Sequence, residues 1–207
     1  MKKTGASGFL PQKRTFGLGG NRRTEIGRFQ LLLVLAVFCC FTPLYGADIQ
    51  RSPIDVNLII DGSASLAGVQ GEITSWLFRH LDQVLADGDM VTVWNAAAGT
   101  RLVYSGKMNG GADIEALKKS ISDLSPSGNT VEYSGALREA SNRQSSNISY
   151  TLLICASPAA LTATLNGAQA NLLRFSRVEE FSGWRSMVVG LNLDAKVRRA
   201  AAAFLGS

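Results

Sequence analysis

Short apolar strand patterns alternate with longer helical patterns along residues 48–207, and this alternation constrains the fold more than any other feature. Residues 55–60 form a short run rich in β-branched residues, which ends at Asp61 and Gly62. The apolar residues that follow recur at helical spacing and predict one amphipathic helix over residues 66–86. Strands separated by helices of this length are typical of a mostly parallel sheet covered on both faces. The sequence therefore predicts a doubly wound α/β domain.

Further strands and helices are predicted along the rest of this domain. The apolar runs at residues 90–94 and 101–104 are separated by few turn residues, which indicates an antiparallel hairpin. The other predicted strands lie at residues 150–154 and 187–191, and the other predicted helices at residues 113–124, 133–143, 168–181 and 194–205. Sheets of this kind bind ligands at the C-terminal ends of their parallel strands, so the residues that follow each strand are the first candidates for a site.

The basic charge of the chain is confined to its N-terminal segment. Residues 1–47 contain seven Lys and Arg against one acidic residue, whereas the whole chain of 207 residues has a net charge of +5. Residues 48–207 hold 14 basic and 15 acidic residues and are therefore nearly neutral. Nucleic-acid binding depends on clustered Lys and Arg that meet phosphates. We therefore expect no nucleic-acid partner for residues 48–207.

Residues 1–47 have the pattern of a targeting segment. A basic stretch ends at Arg28, an apolar run follows over residues 29–41, and the small residues Gly46 and Ala47 come after it. This order is typical of a secretory signal peptide. The apolar run is short for a membrane-spanning helix, which needs about 20 residues. We therefore expect this segment to engage the membrane during export, with residues 48–207 in the periplasm or cell envelope.

Three fates of the exported segment stay open. It is cleaved after Gly46 or Ala47, it is retained as a membrane anchor over residues 29–45, or it is lipidated at Cys39 or Cys40. The bulky residues that precede these cysteines place lipidation below simple cleavage.

A single cysteine, Cys155, remains in residues 48–207. It has no partner for a disulfide within the domain, and it offers no zinc-binding spacing. Because Cys155 lies in an apolar run, it is predicted to be a small buried core residue.

Polar residues follow the first predicted strand in a family-specific order. Asp61-Gly62-Ser63-Ala64-Ser65 resembles the Asp-x-Ser-x-Ser motif of von Willebrand factor A domains. Gly88-Asp89-Met90-Val91 is similar to the Gly-Asp turn before the second strand of that family. Ser127-Gly128-Asn129-Thr130, followed by Gly135-Ala136-Leu137, is similar to the segment that supplies the metal-site threonine. The agreement extends over residues 55–205 and implies a mostly parallel central sheet with helices on both faces.

The resemblance also implies a metal-ion-dependent adhesion site. In such a site, Ser63 and Ser65 would bind Mg²⁺ or Mn²⁺ directly, Thr130 would add a third hydroxyl, and Asp61 would supply negative charge through water. These ions prefer hard oxygen ligands, and an acidic side chain of a protein partner would complete the coordination. Taken alone, the five-residue motif also suits a turn in which Ser63 or Ser65 caps the next helix. The distant segment at Thr130 favours the site.

One position departs from the family pattern. The family has another Asp just after its fourth strand, where this chain reads Ala156-Ser157-Pro158. Ser157 takes that place, although a neutral hydroxyl attracts Mg²⁺ less than a carboxylate does. Glu132 lies two residues after Thr130 and is a candidate to compensate for the missing Asp.

Two functions are therefore expected: an exported binding module that engages a protein partner with or without an ion, or a metal-independent structural subunit of an envelope complex.

Enzyme chemistry has little support in the sequence. A Ser nucleophile needs a positioned base, and the only His of the chain, His80, lies beside the apolar stripe of the first long helix. Neither a Gly-x-Ser-x-Gly elbow nor a Gly-x-x-x-x-Gly-Lys phosphate-binding loop is present. We therefore predict a non-enzymatic protein, with a hydrolase as the remote alternative.

Overall fold

A computed structural model describes residues 51–174 and 183–206, and its centre is one five-stranded sheet. Strands β1 to β5 span Ile54–Asp61, Met90–Ala96, Thr100–Lys107, Ile148–Cys155 and Trp184–Gly190. Their order in the sheet is β3-β2-β1-β4-β5. All neighbouring pairs are parallel except β2 and β3, which form an antiparallel hairpin. The predicted doubly wound, mostly parallel α/β architecture is confirmed.

Helices connect the parallel strands. Helices α1 to α6 span Ala64–Ala67, Gln70–Val84, Gly111–Ser122, Tyr133–Asn142, Pro158–Leu165 and Ala195–Leu205. A short 3-10 helix spans Ala170–Leu173. None of the helices within residues 51–174 and 183–206 combines the length and apolar character that a membrane crossing requires. The predicted targeting segment, residues 1–47, lies outside the described residues.

Two helix predictions are wrong in detail. The helix expected over residues 66–86 is divided at Gly68, because glycine is a poor helix former. Periodicity alone does not reveal the break, since Leu66 and Val69 contact the same core on either side of it. The helix expected over residues 168–181 is a 3-10 helix in its described part, and α5 begins instead at Pro158, a residue favoured at the first position of helices.

The core lies on both faces of the sheet. Val56, Leu58 and Ile60 of β1 face the helices α2 and α3, and they belong to one cluster of buried apolar residues. Ile59, which points to the opposite face, belongs to a second cluster with residues of α4, α5 and α6. Because both faces are covered, every residue of β1 after Ile54 is buried, and its second half contains the continuous apolar run Leu58-Ile59-Ile60.

An ion pair between exposed Arg51 and buried Asp89 fixes the chain near the start of β1. Asp89 is fully buried, and its carboxylate accepts hydrogen bonds from Arg51 Nη1 at 2.9 Å and from Arg51 Nη2 at 2.5 Å. The backbone N–H groups of Ile54 and Ala86 donate to the same carboxylate at 3.0 and 2.9 Å. Gly88 precedes it with a φ of 97°, which favours glycine. The Gly-Asp turn noted in the sequence is therefore an organising centre of the fold.

Candidate functional site

The candidate site is built around Asp61, the last residue of β1. Its side chain is fully buried. Oδ1 accepts hydrogen bonds from the backbone N–H of Ser63 at 2.8 Å and from Ser63 Oγ at 2.6 Å. Oδ2 accepts hydrogen bonds from the Tyr133 hydroxyl at 2.5 Å and from the Ala156 N–H at 2.8 Å. Four donors from three separate segments therefore surround this one carboxylate.

The sheet topology explains this convergence. β1 and β4 are parallel neighbours with Ile60 opposite Ile154, so the residues that follow them lie side by side. Ala156 thus presents its N–H to Asp61. Helix α4 packs against β1 and begins at Tyr133, whose ring is fully buried. The carboxylate joins the end of β1, the end of β4 and the start of α4.

Backbone hydrogen bonds hold the surrounding loops together. Ala64 N–H donates to Gly128 O at 2.9 Å, and Ser127 N–H donates to Gly62 O at 2.8 Å. Gly62 N–H donates to Ala96 O at 2.7 Å, which adds the turn of the β2–β3 hairpin. Glycine is required at position 62, because a Cβ there would lie 2.1 Å from Asn95 Oδ1 and 3.1 Å from Ala96 O.

The five predicted ligands differ in their burial and in their hydrogen bonds. Asp61 and Ser63 are buried and contact each other, whereas Ser65 and Thr130 are exposed. The side chains of Ser65 and Thr130 make no hydrogen bond within residues 51–174 and 183–206. Ser157 is half-buried, and its Oγ accepts a hydrogen bond from Ala160 N–H at 3.3 Å as the N-cap of α5. Backbone hydrogen bonds bring the loops at residues 62–64 and 127–128 together, and an ion site formed by the five side chains stays a prediction.

The donor set does not suit a divalent ion bound through Asp61. A carboxylate offers about four lone-pair positions, and four protein donors already occupy them. The other predicted ligands are neutral hydroxyls, and Mg²⁺ prefers sites that contain carboxylates. The Mg²⁺ or Mn²⁺ site therefore stays a prediction that this geometry does not favour.

Burial keeps the groups around Asp61 protonated. Burial, together with the neighbouring Cys155 and Asp61, raises the pKa of Tyr133 well above its ordinary value. The phenol is therefore a hydrogen-bond donor at neutral pH. Burial and the Asp61 charge raise the pKa of the Cys155 thiol to about 12. Cys155 is fully buried, as its apolar sequence context predicts.

Tyr133 is the site residue that the sequence analysis missed. The sequence assigned it only to the start of a helix, although Tyr is unusual among the small residues Ser134, Gly135 and Ala136 that follow it. A buried Tyr hydroxyl generally has a hydrogen-bond partner. That rule is the signal in the sequence that could have directed attention to Tyr133, although it does not name the partner of the hydroxyl.

Two other polar residues noted in the sequence, Glu132 and His80, lie beside other parts of the fold. Glu132 is exposed and precedes α4, and its backbone N–H donates to Ala97 O at 2.9 Å. His80 lies on α2 with its Nδ1 at 2.7 Å from Trp76 O. The ring centroids of His80 and Trp76 are 4.5 Å apart. His80 is therefore a buried residue that contacts Trp76 on the same helix.

Comparison with known proteins rests on structure alone. No protein-family model and no curated protein sequence matches this chain. The VWA domain of SpRpn10 has a similar structure, with a TM-score of 0.51 and 10% identity over 75% of this chain and 84% of that domain. This chain therefore has the fold of a von Willebrand factor A domain.

Two further structures extend the comparison at lower similarity. Proximal thread matrix protein 1 from the mussel byssus has a TM-score of 0.49 and 15% identity over 68% of this chain. A von Willebrand factor type A protein from Catenulispora acidiphila has a TM-score of 0.48 and 17% identity over 75% of this chain. This chain spans less than half of each, 38% and 43% respectively.

Proposed function

We propose that this chain is an exported protein-binding module whose contact surface is formed by the loops at the C-terminal ends of the strands. We call residues 62–65, 97–99, 127–132 and 156–158 the loop surface. The carboxylate of Asp61 supports this proposal, because it holds loops from three segments in one geometry while Ser65 and Thr130 stay exposed. A pre-organised surface loses little entropy when it binds a partner.

The chemistry of the loop surface favours a protein partner. Its residues are small and mostly neutral, it contains no Lys or Arg, and Glu132 is its single charged residue. Such a surface has no cationic side chain that could pair with the phosphates of a nucleic acid. Its exposed hydroxyls, together with the amide of Asn129, suit hydrogen bonds to the backbone and side chains of a folded protein.

The binding module could contact its partner either through a bound divalent cation or without one. An acidic side chain of the partner would bind either a cation held at the loop surface or the exposed hydroxyl groups themselves, since the loop surface has no cationic side chain of its own. The four donors on Asp61 favour contact without an ion. A metal-independent structural or assembly subunit of an envelope complex is therefore the second candidate function, and it rests on the same carboxylate.

A hydrolase is the least supported alternative. A Ser nucleophile needs a base within hydrogen-bond reach. Ser63 instead donates its hydroxyl proton to buried Asp61, and His80 lies on α2 beside Trp76.

Site-specific photo-crosslinking tests the binding proposal. A photoreactive residue is placed at Thr130 in the loop surface, and at Ile148 as the control, because Ile148 is 46% exposed at the opposite end of the sheet. We expect a discrete protein adduct from position 130 and none from position 148. Equal adducts from both positions, or none from either, would contradict the loop surface as the contact.

Export is tested separately by cell fractionation. The pattern in residues 1–47 supports location of the domain in the periplasm or cell envelope. We expect the full chain to be recovered outside the cytoplasm, and a chain that lacks residues 1–47 to be retained inside it. Recovery of both chains in the same compartment would contradict export.

A further inference from the structure

We propose that Tyr133 takes the place of a cation at Asp61, so that the loops at the strand ends are ordered without a divalent ion. The inference concerns the partners of one carboxylate, and it stands whether or not the loop surface binds a protein. Asp61 is buried, and four hydrogen-bond donors from three separate segments surround its carboxylate. Among the other predicted ligands, the Ser157 hydroxyl caps a helix, and Ser65 and Thr130 are exposed.

The burial of Asp61 creates the need for compensation. A carboxylate that is removed from water is costly unless it is paired or fully hydrogen-bonded. Asp61 has no exposed surface, and no Lys, Arg or His within the described residues forms an ion pair with it. By contrast, buried Asp89 is paired with Arg51. The compensation at Asp61 therefore comes from N–H and O–H dipoles.

The donors saturate the carboxylate. Ser63 fills Oδ1 with its N–H and its hydroxyl, and Tyr133 and Ala156 fill Oδ2. The Ser63 and Ala156 amide donors belong to the loops after β1 and β4. The Tyr133 phenol is different, because it comes from a side chain 72 positions away and reaches the carboxylate through the core. With this phenol in place, neither an ion nor an ion-bound water has a free lone pair of Asp61 to use.

The remaining hydroxyls do not restore an ion site. Ser157 Oγ accepts the N–H of Ala160 and caps α5, so it is directed to that helix. Ser65 and Thr130 are exposed neutral groups. Hard divalent ions are held mainly by carboxylates; the buried carboxylate of Asp61 is already saturated, and Glu132 is exposed.

The test compares unfolding of the full chain with and without ions. The protein, in a mild detergent because of the apolar run at residues 29–41, is unfolded thermally in EDTA, in Mg²⁺ and in Mn²⁺. We expect the same midpoint in all three. An ion at a hundredfold excess over its dissociation constant would raise the folded-to-unfolded ratio about a hundredfold. A rise of that kind in the parent, lost in Ser63→Ala, would overturn the proposal.

A matched pair of variants isolates the phenol. Tyr133→Phe removes one hydrogen bond to a buried charge and is expected to raise the unfolded-to-folded ratio roughly 10- to 100-fold, equally in EDTA and in Mg²⁺. Tyr104→Phe removes the same atom from a half-buried Tyr on β3 and is expected to change the ratio little. Equal effects of the two variants would contradict the role of Tyr133.

A second measurement needs no variant. Mn²⁺ is paramagnetic and broadens the NMR signals of amides close to it. We expect the amide signals of Ser63 and Ala156 to keep their widths as Mn²⁺ is added to the full chain. Selective broadening of these two signals would place an ion at Asp61 and overturn the proposal even if Tyr133→Phe failed to fold.

Discussion

Two buried aspartates organise opposite ends of the sheet, and they are stabilised in different ways. Asp89 lies before β2 and meets the guanidinium of Arg51, whereas Asp61 lies at the end of β1 and meets only N–H and O–H donors. Removal of a buried carboxylate leaves its donors without an acceptor, and the fold loses stability where those donors are shielded from water. Each aspartate also satisfies backbone N–H groups of a loop, which ties the loop to the strand beside it.

Asp89→Ala is predicted to destabilise the fold strongly. The change removes four hydrogen bonds, two from Arg51 and two from the backbone of Ile54 and Ala86. The free energy of unfolding should fall by about 2 to 4 kcal/mol, as measured by urea unfolding, because two backbone N–H groups lose their acceptor. Asp123→Ala is the control, since Asp123 pairs with Lys119 while both side chains are exposed. A loss at Asp89 no larger than at Asp123 would contradict this account.

The sequence pattern identified Asp61, but it did not identify Tyr133, whose hydroxyl donates a hydrogen bond to the Asp61 carboxylate. The pattern of a buried strand followed by Asp-Gly-Ser identified the carboxylate, because chain-local features define a strand end. Tyr133 and Ala156 are 72 and 95 positions away from Asp61, and only the assembled sheet brings them to it. That Ser157 replaces an acid stays a prediction, and the sequence did not reveal that its hydroxyl caps α5.

At the scale of elements, local pattern predicted the strands better than the helix boundaries. A buried strand is a short apolar run, and the five predicted runs lie within β1 to β5 apart from Leu191, one residue beyond the end of β5. Helix boundaries depend on single residues that periodicity ignores. Gly68 divides α1 from α2 although the apolar stripe continues across it, and Pro158 starts α5 in a stretch for which no helix was predicted.

Two glycines in neighbouring elements are predicted to respond oppositely to alanine. Gly62→Ala would place a Cβ 2.1 Å from Asn95 Oδ1 and 3.1 Å from Ala96 O, so we expect a loss of about 1 to 3 kcal/mol of stability. Gly68 has nothing within 4 Å of a Cβ and a φ of −69°. Gly68→Ala should therefore be neutral or stabilising by up to about 1 kcal/mol. The thermal midpoints of the two variants decide this, and a midpoint for Gly62→Ala at or above that of Gly68→Ala would refute it.

At the scale of the whole molecule, the face of the sheet toward α4 carries both the apolar core and the candidate site. Tyr133 and Cys155 belong to the same buried cluster as Ile59 and Leu153, and both lie beside Asp61. The stability of this face and the geometry of the loop surface therefore depend on the same side chains. Conditions that charge either group act on the entire fold.

The fold is predicted to lose stability at alkaline pH. The folded state raises the pKa of Cys155 from 9.0 to about 12 and also raises that of Tyr133. Above pH 9 the unfolded chain therefore binds fewer protons than the folded one, so the free energy of unfolding falls as pH rises toward 12. The slope contributed by each group reaches at most about 1.4 kcal/mol per pH unit.

Urea unfolding of the parent and of Cys155→Ala between pH 8 and pH 11 measures this effect. We expect a less steep decline for Cys155→Ala, because that variant has no thiol to titrate. Any cavity left by the missing sulfur costs the same at every pH and does not alter the slope. Identical slopes in the two proteins would show that Cys155 does not contribute.

The shared carboxylate also has a mechanical consequence. Since Asp61 accepts hydrogen bonds from the start of α4 and from the residue after β4, neither segment can be displaced without withdrawing a donor from the same group. The loop at Ser127 and Gly128 is tied to residues 62–64 by backbone hydrogen bonds. A tensile load applied by a partner at Thr130 would thus pass directly into the two central strands, and the loops would yield together rather than one after another.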